Sequence, residues 1–436
     1  MLRLFPLTAQ INKSHLTIGG CDTVSLAEEF GTPLYIFDEA TLRGKCSEYR
    51  KAFEKRYPNS TISYAAKAFL NRPLAKLLIE EGMGLDVASG GELSIARAAR
   101  FPMSKVYFNG DNKSRQELEM ALKWGVGRII VDNFFELSLL NDIAAEMEKR
   151  PRILLRLSPG VDAHTHSHLT TGVLDSKFGF TMPQAEEALT KALSLPNLDL
   201  VGLHMHLGSQ IFEFECYKQA IDIVFDFAGK MSRKHGFKFK NFSAGGGLGV
   251  AYLQTVQAKS ITEFANVITG QVLKKNRSLG IKPPRLAVEP GRSIVAQAGV
   301  ALYTIGSMKD IKGIRKYVRV DGGMADNIRP ALYDAKYEAA VANKMGKAAD
   351  KGLEKVTIAG KSCESGDILI KDIELPRLET GDILALPCCG AYCIPMSSNY
   401  LSLPRPAIVM VGDDKARLIR RRETCKDLMR LDVTGA

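Results

Sequence analysis

Short apolar runs alternate with amphipathic segments through most of the chain. Strand candidates fall at 61–68, 84–89, 105–110, 127–132, 152–158, 200–208, 241–246 and 285–290. Between most of them apolar residues recur at helical spacing, over 72–82, 91–100, 114–125, 134–149, 183–194, 214–235 and 261–279, with a further helical stretch near 39–57. Start signals support several helices: Pro73 opens the first, and Ser114 with Glu117 forms a capping box. Eight such strands separated by helices predict an α/β fold, a (β/α)8 barrel of the TIM type. A doubly wound open sheet is the alternative, and the even spacing of eight units favours closure. From about residue 300 strand-like segments recur at short intervals, at 299–306, 316–320, 355–359, 367–370, 382–386, 406–411 and 416–421, divided by Gly and Pro. They predict a second, mostly β domain. Short strand-like pieces at 16–18 and 33–37 precede the barrel. The predicted domains are therefore 36–298 for the barrel, and 1–35 together with 299–436 for the β domain. The lysine- and alanine-rich segment 336–352 reads as an exposed helix or loop.

The polar residues fall at the ends of these strands. Lys67, Asp86 with Ser89, Asn109, Arg156 with Ser158, His204 with His206, Gly245-Gly246-Gly247, and Glu289 with Arg292 each close a strand candidate. Barrel enzymes build their sites at the C-terminal ends of the strands. Any one of these groups could be structural, but seven in register are hard to explain that way. Lys67 sits in the apolar run Tyr64 to Phe69, which reads as a buried strand. A lysine there either reaches solvent from the strand end or works as the neutral amine that Schiff-base chemistry requires. The glycine run after residue 244 suits close approach to a phosphate. It lacks the Lys-Ser/Thr of a Walker loop and fits a dinucleotide fingerprint poorly. A lysine on one strand end and a phosphate nest on another suggest pyridoxal 5′-phosphate. Glu289 could face the pyridine nitrogen and keep it protonated. Arg292 could take a carboxylate or phosphate in two-point fashion, and His206 could lie over the flat ring. His204 reads equally as a hydrogen-bonded core residue.

Length and composition narrow the partners. With 436 residues and 45% hydrophobic content, the chain can build more than one domain. No apolar run approaches the roughly 18 residues of a membrane span, and the start lacks a signal-peptide core. The eight cysteines are scattered; Cys388, Cys389 and Cys393 are too irregular for a zinc site, so no metal is expected. Reduced thiols in the cytoplasm is the economical reading. The formal net charge of +11 raises nucleic acid as a partner. The only dense basic run, Arg417 to Lys426, alternates like a solvated strand and has no aromatic module beside it. Neither nucleic acid nor membrane is expected, and attraction of small anions is a secondary reading.

Ten segments, taken in order, resemble a known family: YAAKA (64–68), GLDVASGGEL (84–93), THSHLTTG (165–172), KFGF (177–180), GLHMHLGSQ (202–210), GGGLG (245–249), EPGRS (289–293), VDGGMADNIRPALYDA (320–335), CESGD (363–367), and GAY (390–392) with SSNY (397–400). The chain resembles, over essentially its whole length, the alanine-racemase-fold (fold type III) pyridoxal-phosphate decarboxylases. Within them it is most similar to the branch acting on meso-2,6-diaminopimelate, which forms L-lysine and CO2 in the last step of lysine biosynthesis. The resemblance implies that Lys67 carries the cofactor, that Asp86 lies near the lysine and ring, and that His206 stacks on the ring. It implies that Ser209 and Gly245, Gly246 and Gly247 hold the phosphate, that Glu289 faces the ring nitrogen, and that Tyr392 closes the pocket. Arg292, Arg329 and Tyr333 would bind substrate carboxylates. Cys363, near the reacting carbon, and Glu364, on the distal amine, would come from the partner subunit of a homodimer with shared active sites. The sequence departs from the family pattern at Phe108-Asn109-Gly110-Asp111, where His-Gly-Asn is usual, at Lys361 for a proline, and at Leu401 for an asparagine.

Three other readings stand beside this one. A class I aldolase also uses a barrel lysine but needs neither Glu289 nor a second domain. A non-catalytic homologue has no need of Lys67, His206, Glu289 and Cys363 together. A decarboxylase of ornithine, lysine or arginine would keep the cofactor residues and change the distal contacts, whereas Arg292, Arg329 and Tyr333 suit a second carboxylate.

Overall fold

In the computed structural model, which describes residues 2–162, 177–346 and 352–433, the chain forms two compact units. One comprises Lys45–Gly249 with Ala258–Ser293, the other Met1–Gly44, Val250–Gln257 and Ile294–Ala436. The first unit contains a ring of parallel strands: β1 (Ser60–Ala65), β2 (Gly84–Val87), β3 (Val106–Phe108), β4 (Arg128–Val131), β5 (Arg152–Ser158), β6 (Asp199–Met205), β7 (Asn241–Ser243) and β8 (Arg285–Val288). Ile129 of β4 stands opposite Ile153 of β5, and Val288 of β8 opposite Ile62 of β1, so the sheet closes. This is the eight-stranded barrel the alternation predicts, not an open sheet. Its interior is packed rather than hollow, with Tyr107, Ile130, Leu154, Val201 and Ala287 in one buried cluster.

The connecting helices begin where the sequence signals place them. Asn71 caps Arg72–Glu80 by accepting from the Leu74 amide at 2.9 Å, and Ser114 with Glu117 forms the expected capping box on Arg115–Trp124. Except for β5, which ends at Ser158 as expected, the strands end earlier than the apolar runs do. β1 stops at Ala65, and Lys67 lies in the 3-10 turn Ala66–Ala68 with its side chain exposed. The expectation of a buried strand through residue 68 is therefore corrected. Ala65 is the last ladder residue, its amide donating to Pro290 O, and the turn then lifts the lysine out of the sheet. Likewise Ser89 stands beyond β2 as the N-cap of Gly90–Ala98, so its hydroxyl has a structural task.

The second unit is mostly β. Its main sheet runs in the order Ile368–Pro376, Leu353–Ala359, Arg315–Val320, Gly299–Ile311, Leu34–Asp38, Ala407–Gly412 and Lys415–Arg420. Leu34–Asp38 is buried at every residue and holds the sheet centre, antiparallel to 299–302 and parallel to 407–411. Leu16, Ile18, Leu34, Ile36, Val300, Leu302 and Val409 share one core. Lys415–Arg420 is an edge strand with no fully buried residue, the solvated face expected of the basic run. The reading of 336–352 as exposed does not hold for its described part. Tyr337, Ala339 to Ala342 and Met345 are buried, and Ala340–Val341 pairs with Ile383–Leu386. Alanine is small enough to pack beneath a sheet, so composition alone misleads there.

Candidate active site

The strand register brings the polar residues of the barrel to one rim. Ala65 stands opposite Asp86, Asp86 opposite Tyr107, and His204 opposite both Arg156 and Ser243. Asn109, Asp132 and Glu289 follow immediately after β3, β4 and β8. Glu289 is the best-anchored group. It is 6% exposed, with Oε2 at 3.1 Å from His204 Nε2 and Oε1 accepting from Ser243 Oγ at 2.6 Å. Burial works to raise its pKa, but His204, the Ser243 hydroxyl and the Lys67 charge outweigh burial and hold the carboxyl below its ordinary range.

Asp86 goes the other way. It is buried at 7% exposure and accepts from Asn109 Nδ2. Burial first, and the negative charge of Glu289 second, push its carboxyl well above the ordinary range; Asn109 and Lys67 oppose them. The rim therefore carries two carboxyls of divergent acidity, a pattern typical of acid–base sites.

His206 is held neutral. Burial, then the positive charges of Lys67 and Arg156, lower its pKa well below the ordinary value. Its Nδ1 accepts from the Gly246 amide at 3.2 Å, which sets the ring's tautomer and plane. The glycine turn has no space for side chains. A Cβ on Gly246 would lie 2.1 Å from Glu289 O, and Gly247, with φ +112°, would bring one to 2.6 Å from Tyr217 Oη. Tyr217 Oη donates to Gly246 O at 2.6 Å and fixes the turn from below. Ser209 Oγ accepts from Arg292 Nε and Nη2 at 3.2 and 3.0 Å, and Arg292 is 6% exposed. Arg156 and Asp132 pair at 3.5 Å. The same arginine lies 4.4 Å from the ring centre of Phe178, and the Gly179 amide donates to Asp132 at 3.0 Å, which ties the KFGF segment to the rim. THSHLTTG lies outside the described residues.

The remaining candidates lie in the second unit. Arg329 is 5% exposed, donates to Tyr337 Oη, and lies 4.6 Å over the ring of Tyr252. Tyr333, four residues on in Arg329–Tyr333, is half-buried. Cys363 and Glu364 are exposed on the loop after Leu353–Ala359, where Glu364 Oε2 accepts from Tyr400 Oη at 3.4 Å. Tyr392 is half-buried with φ +62°. Ser243, Asp132, Tyr217, Tyr252 and Tyr337 were not legible as site residues. All but Tyr337, eight residues from Arg329, act on neighbours distant in sequence, and no local motif marks any of them.

A lysine amine, a fixed carboxylate, a neutral imidazole and a glycine turn too tight for any side chain fit a flat, phosphorylated carbonyl cofactor. They define, on this barrel, a pyridoxal-dependent enzyme. Residues 40–296 match the family described as pyridoxal-dependent decarboxylase, pyridoxal binding domain. The diaminopimelate decarboxylase of Bacillus subtilis is 46% identical over 97% of this chain and 96% of its own length. That of Synechocystis sp. is 44% identical over 98% and 92%. The solved structure of diaminopimelate decarboxylase from M. jannaschii in co-complex with L-lysine superposes with a TM-score of 0.92 at 34% identity, covering 98% of both chains. The chain belongs to the diaminopimelate decarboxylase family of pyridoxal-dependent decarboxylases.

Proposed function

We propose that this chain decarboxylates meso-2,6-diaminopimelate to L-lysine and CO2, the closing step of lysine biosynthesis, with pyridoxal 5′-phosphate as cofactor. The observation that carries the reading is the buried Glu289 carboxylate, held by His204 and Ser243 on the same rim as Lys67. When bound, the cofactor supplies an electron sink for the pair released as the bond between Cα and the carboxylate breaks. Lys67 would hold it through its amine, Ser209 and Gly245 to Gly247 would take its phosphate, and Tyr392 would close over it. Glu289, kept ionised, would face the ring nitrogen and favour its protonated form. His206, kept neutral, would lie against the ring without opposing that charge. Asp86 would hold a proton beside Lys67. A site with little water favours departure of the carboxylate as neutral CO2, and a proton takes its place on Cα.

The substrate has two amino-acid ends, so one must be held while the other reacts. Arg292, Arg329 and Tyr333 are the partners proposed for its carboxylates, and Glu364 for the distal ammonium. Cys363 and Glu364 are exposed on their own unit, which suits residues lent to the site of a partner subunit; Cys363 would stand by the reacting carbon. We therefore read the protein as a homodimer with shared sites. All eight cysteines are free, as in a reducing cytoplasm. Among the described residues no helix is long and apolar enough to cross a membrane.

The test is CO2 release from meso-diaminopimelate, lysine, ornithine and arginine by the purified enzyme. A buried arginine left unpaired by a substrate lacking the second carboxylate costs a few kcal/mol. Sites of this kind reject the lesser analogue by roughly 10⁴-fold. The expected result is that preference for meso-diaminopimelate, with Arg329→Ala lowering its kcat/KM far more than that for lysine. Equal efficiency on lysine and diaminopimelate would leave only the decarboxylase class standing.

A further inference from the structure

At the opposite end of the barrel, where the strands begin, lies a second polar cavity of about 220 Å³. Its walls come from residues far apart in sequence: Arg50 on Glu39–Glu54, Ser60 at the start of β1, Lys105 just before β3, Tyr107 within β3, and Arg128 and Arg285, which open β4 and β8. Four of the lining residues are cations and only one, Glu54, is an acid.

These cations are only partly countered. Among the described residues Lys105, Arg128 and Arg285 form no ion pair, and Arg50 reaches Glu81 only at 3.8 Å. Arg128 is half-buried, and its guanidinium donates only to neutral acceptors: Asn241 Oδ1 at 3.2 Å and Gly127 O at 2.6 Å. Burial, with repulsion from Arg152 and Arg285, lowers its pKa, whereas Tyr107 and Asp199 oppose the shift. Donors are also left over. The buried Nε of Arg50 and the buried hydroxyl of Ser60 have no partner, and the Tyr107 hydroxyl bonds to no described residue. Arg50 and Arg128 are half-buried, Lys105 and Arg285 exposed, and cations facing one cavity repel one another unless an anion joins them.

We propose that this cavity is a binding site for a compact, multiply charged oxyanion of the phosphate class. Guanidinium forks and hydroxyls match tetrahedral oxygens, and the charge excess calls for more than one negative charge. The volume admits a phosphate group. The site is separate from the catalytic rim, since the parallel strands carry Asp86, His204 and Glu289 to their other ends. Its occupation stabilises the barrel by joining the entry ends of β1, β3, β4 and β8 through one ligand.

The experiment uses the holoenzyme, with cofactor bound and its absorbance followed throughout. Inorganic phosphate is titrated at constant ionic strength against chloride, with Tm and calorimetric binding measured. The expected result is a saturable rise in Tm, one phosphate per chain, and an unchanged cofactor spectrum. In the double variant Lys105→Gln/Arg285→Gln, whose substituted residues are exposed, phosphate should bind at least about tenfold more weakly, the effect of losing a charge-assisted pair. The same variant should melt higher than the parent in chloride alone, because repulsion at the cavity is relieved. Absence of a saturable shift, or an undiminished shift in the double variant, would overturn the site; the latter would place the phosphate elsewhere.

Discussion

Asp86 and Glu289 share a rim, a burial and a carboxyl group, yet their acidities move apart because their partners differ. Glu289 has a histidine and a hydroxyl, whereas Asp86 has one amide, Asn109 Nδ2. Removing the amide removes a contribution that lowers the Asp86 pKa. Asn109→Ala should therefore move the alkaline limb of the kcat/KM profile, where Asp86 loses its proton, upward by roughly one to two pH units, the worth of a hydrogen bond to a charged group. An unmoved limb would separate the Asp86 proton from the rate. His204 illustrates how far residue-level reading reaches. It reads about evenly as a hydrogen-bonded core histidine, and in the structure it is fully buried with Nε2 beside Glu289 while its Nδ1 has no partner. That its Nε2 meets Glu289 depends on the fold bringing together positions 85 apart in sequence.

At the scale of elements, helix starts were legible and strand ends were not. A capping serine and its glutamate lie within four residues of each other, so local sequence determines them. A parallel strand ends where its neighbour ceases to offer partners, which is a non-local fact. The loop carrying Cys363 and Glu364 shows the consequence. It is fastened at Asp367, whose carboxylate accepts from the Met324 and Ser362 amides at 2.7 and 2.9 Å, while Cys363 and Glu364 remain exposed. If a partner's site uses that loop, two inactive variants should complement. Mixing Lys67→Ala with Cys363→Ala should restore about a quarter of the activity, since half of freely re-assorted dimers are mixed and each has one intact site. No recovery despite verified subunit exchange would rule out the shared site.

For the molecule as a whole, stability should carry the mark of Asp326. This aspartate is buried, accepts from the hydroxyls of Tyr303 and Tyr35 at 2.5 and 3.1 Å, and has its pKa raised by burial from 3.8 to about 6. Below pH 3.8 folded and unfolded chains both hold the proton. Above it the unfolded chain releases the proton while the folded chain keeps it, so stability falls as pH rises to about 6 and is then level. The loss amounts to roughly 3 kcal/mol. Relative to the parent, Asp326→Asn should gain about that much stability between about pH 4 and about pH 7 in denaturant titrations. A difference constant with pH would show that Asp326 ionises normally.

The sequence by itself determined the barrel, since the period of its apolar residues selects helices over a parallel sheet. It also determined the family, because ten ordered segments leave little freedom. Tertiary structure alone decided which polar groups meet. Closure of the sheet joins Ser243 and His204 to Glu289 at one end, and gathers Arg50, Lys105, Arg128 and Arg285 at the other. It also decided that Lys67 stands clear of the sheet. Burial and pairing are properties of strand register and closure, and both arise between segments that no local pattern connects.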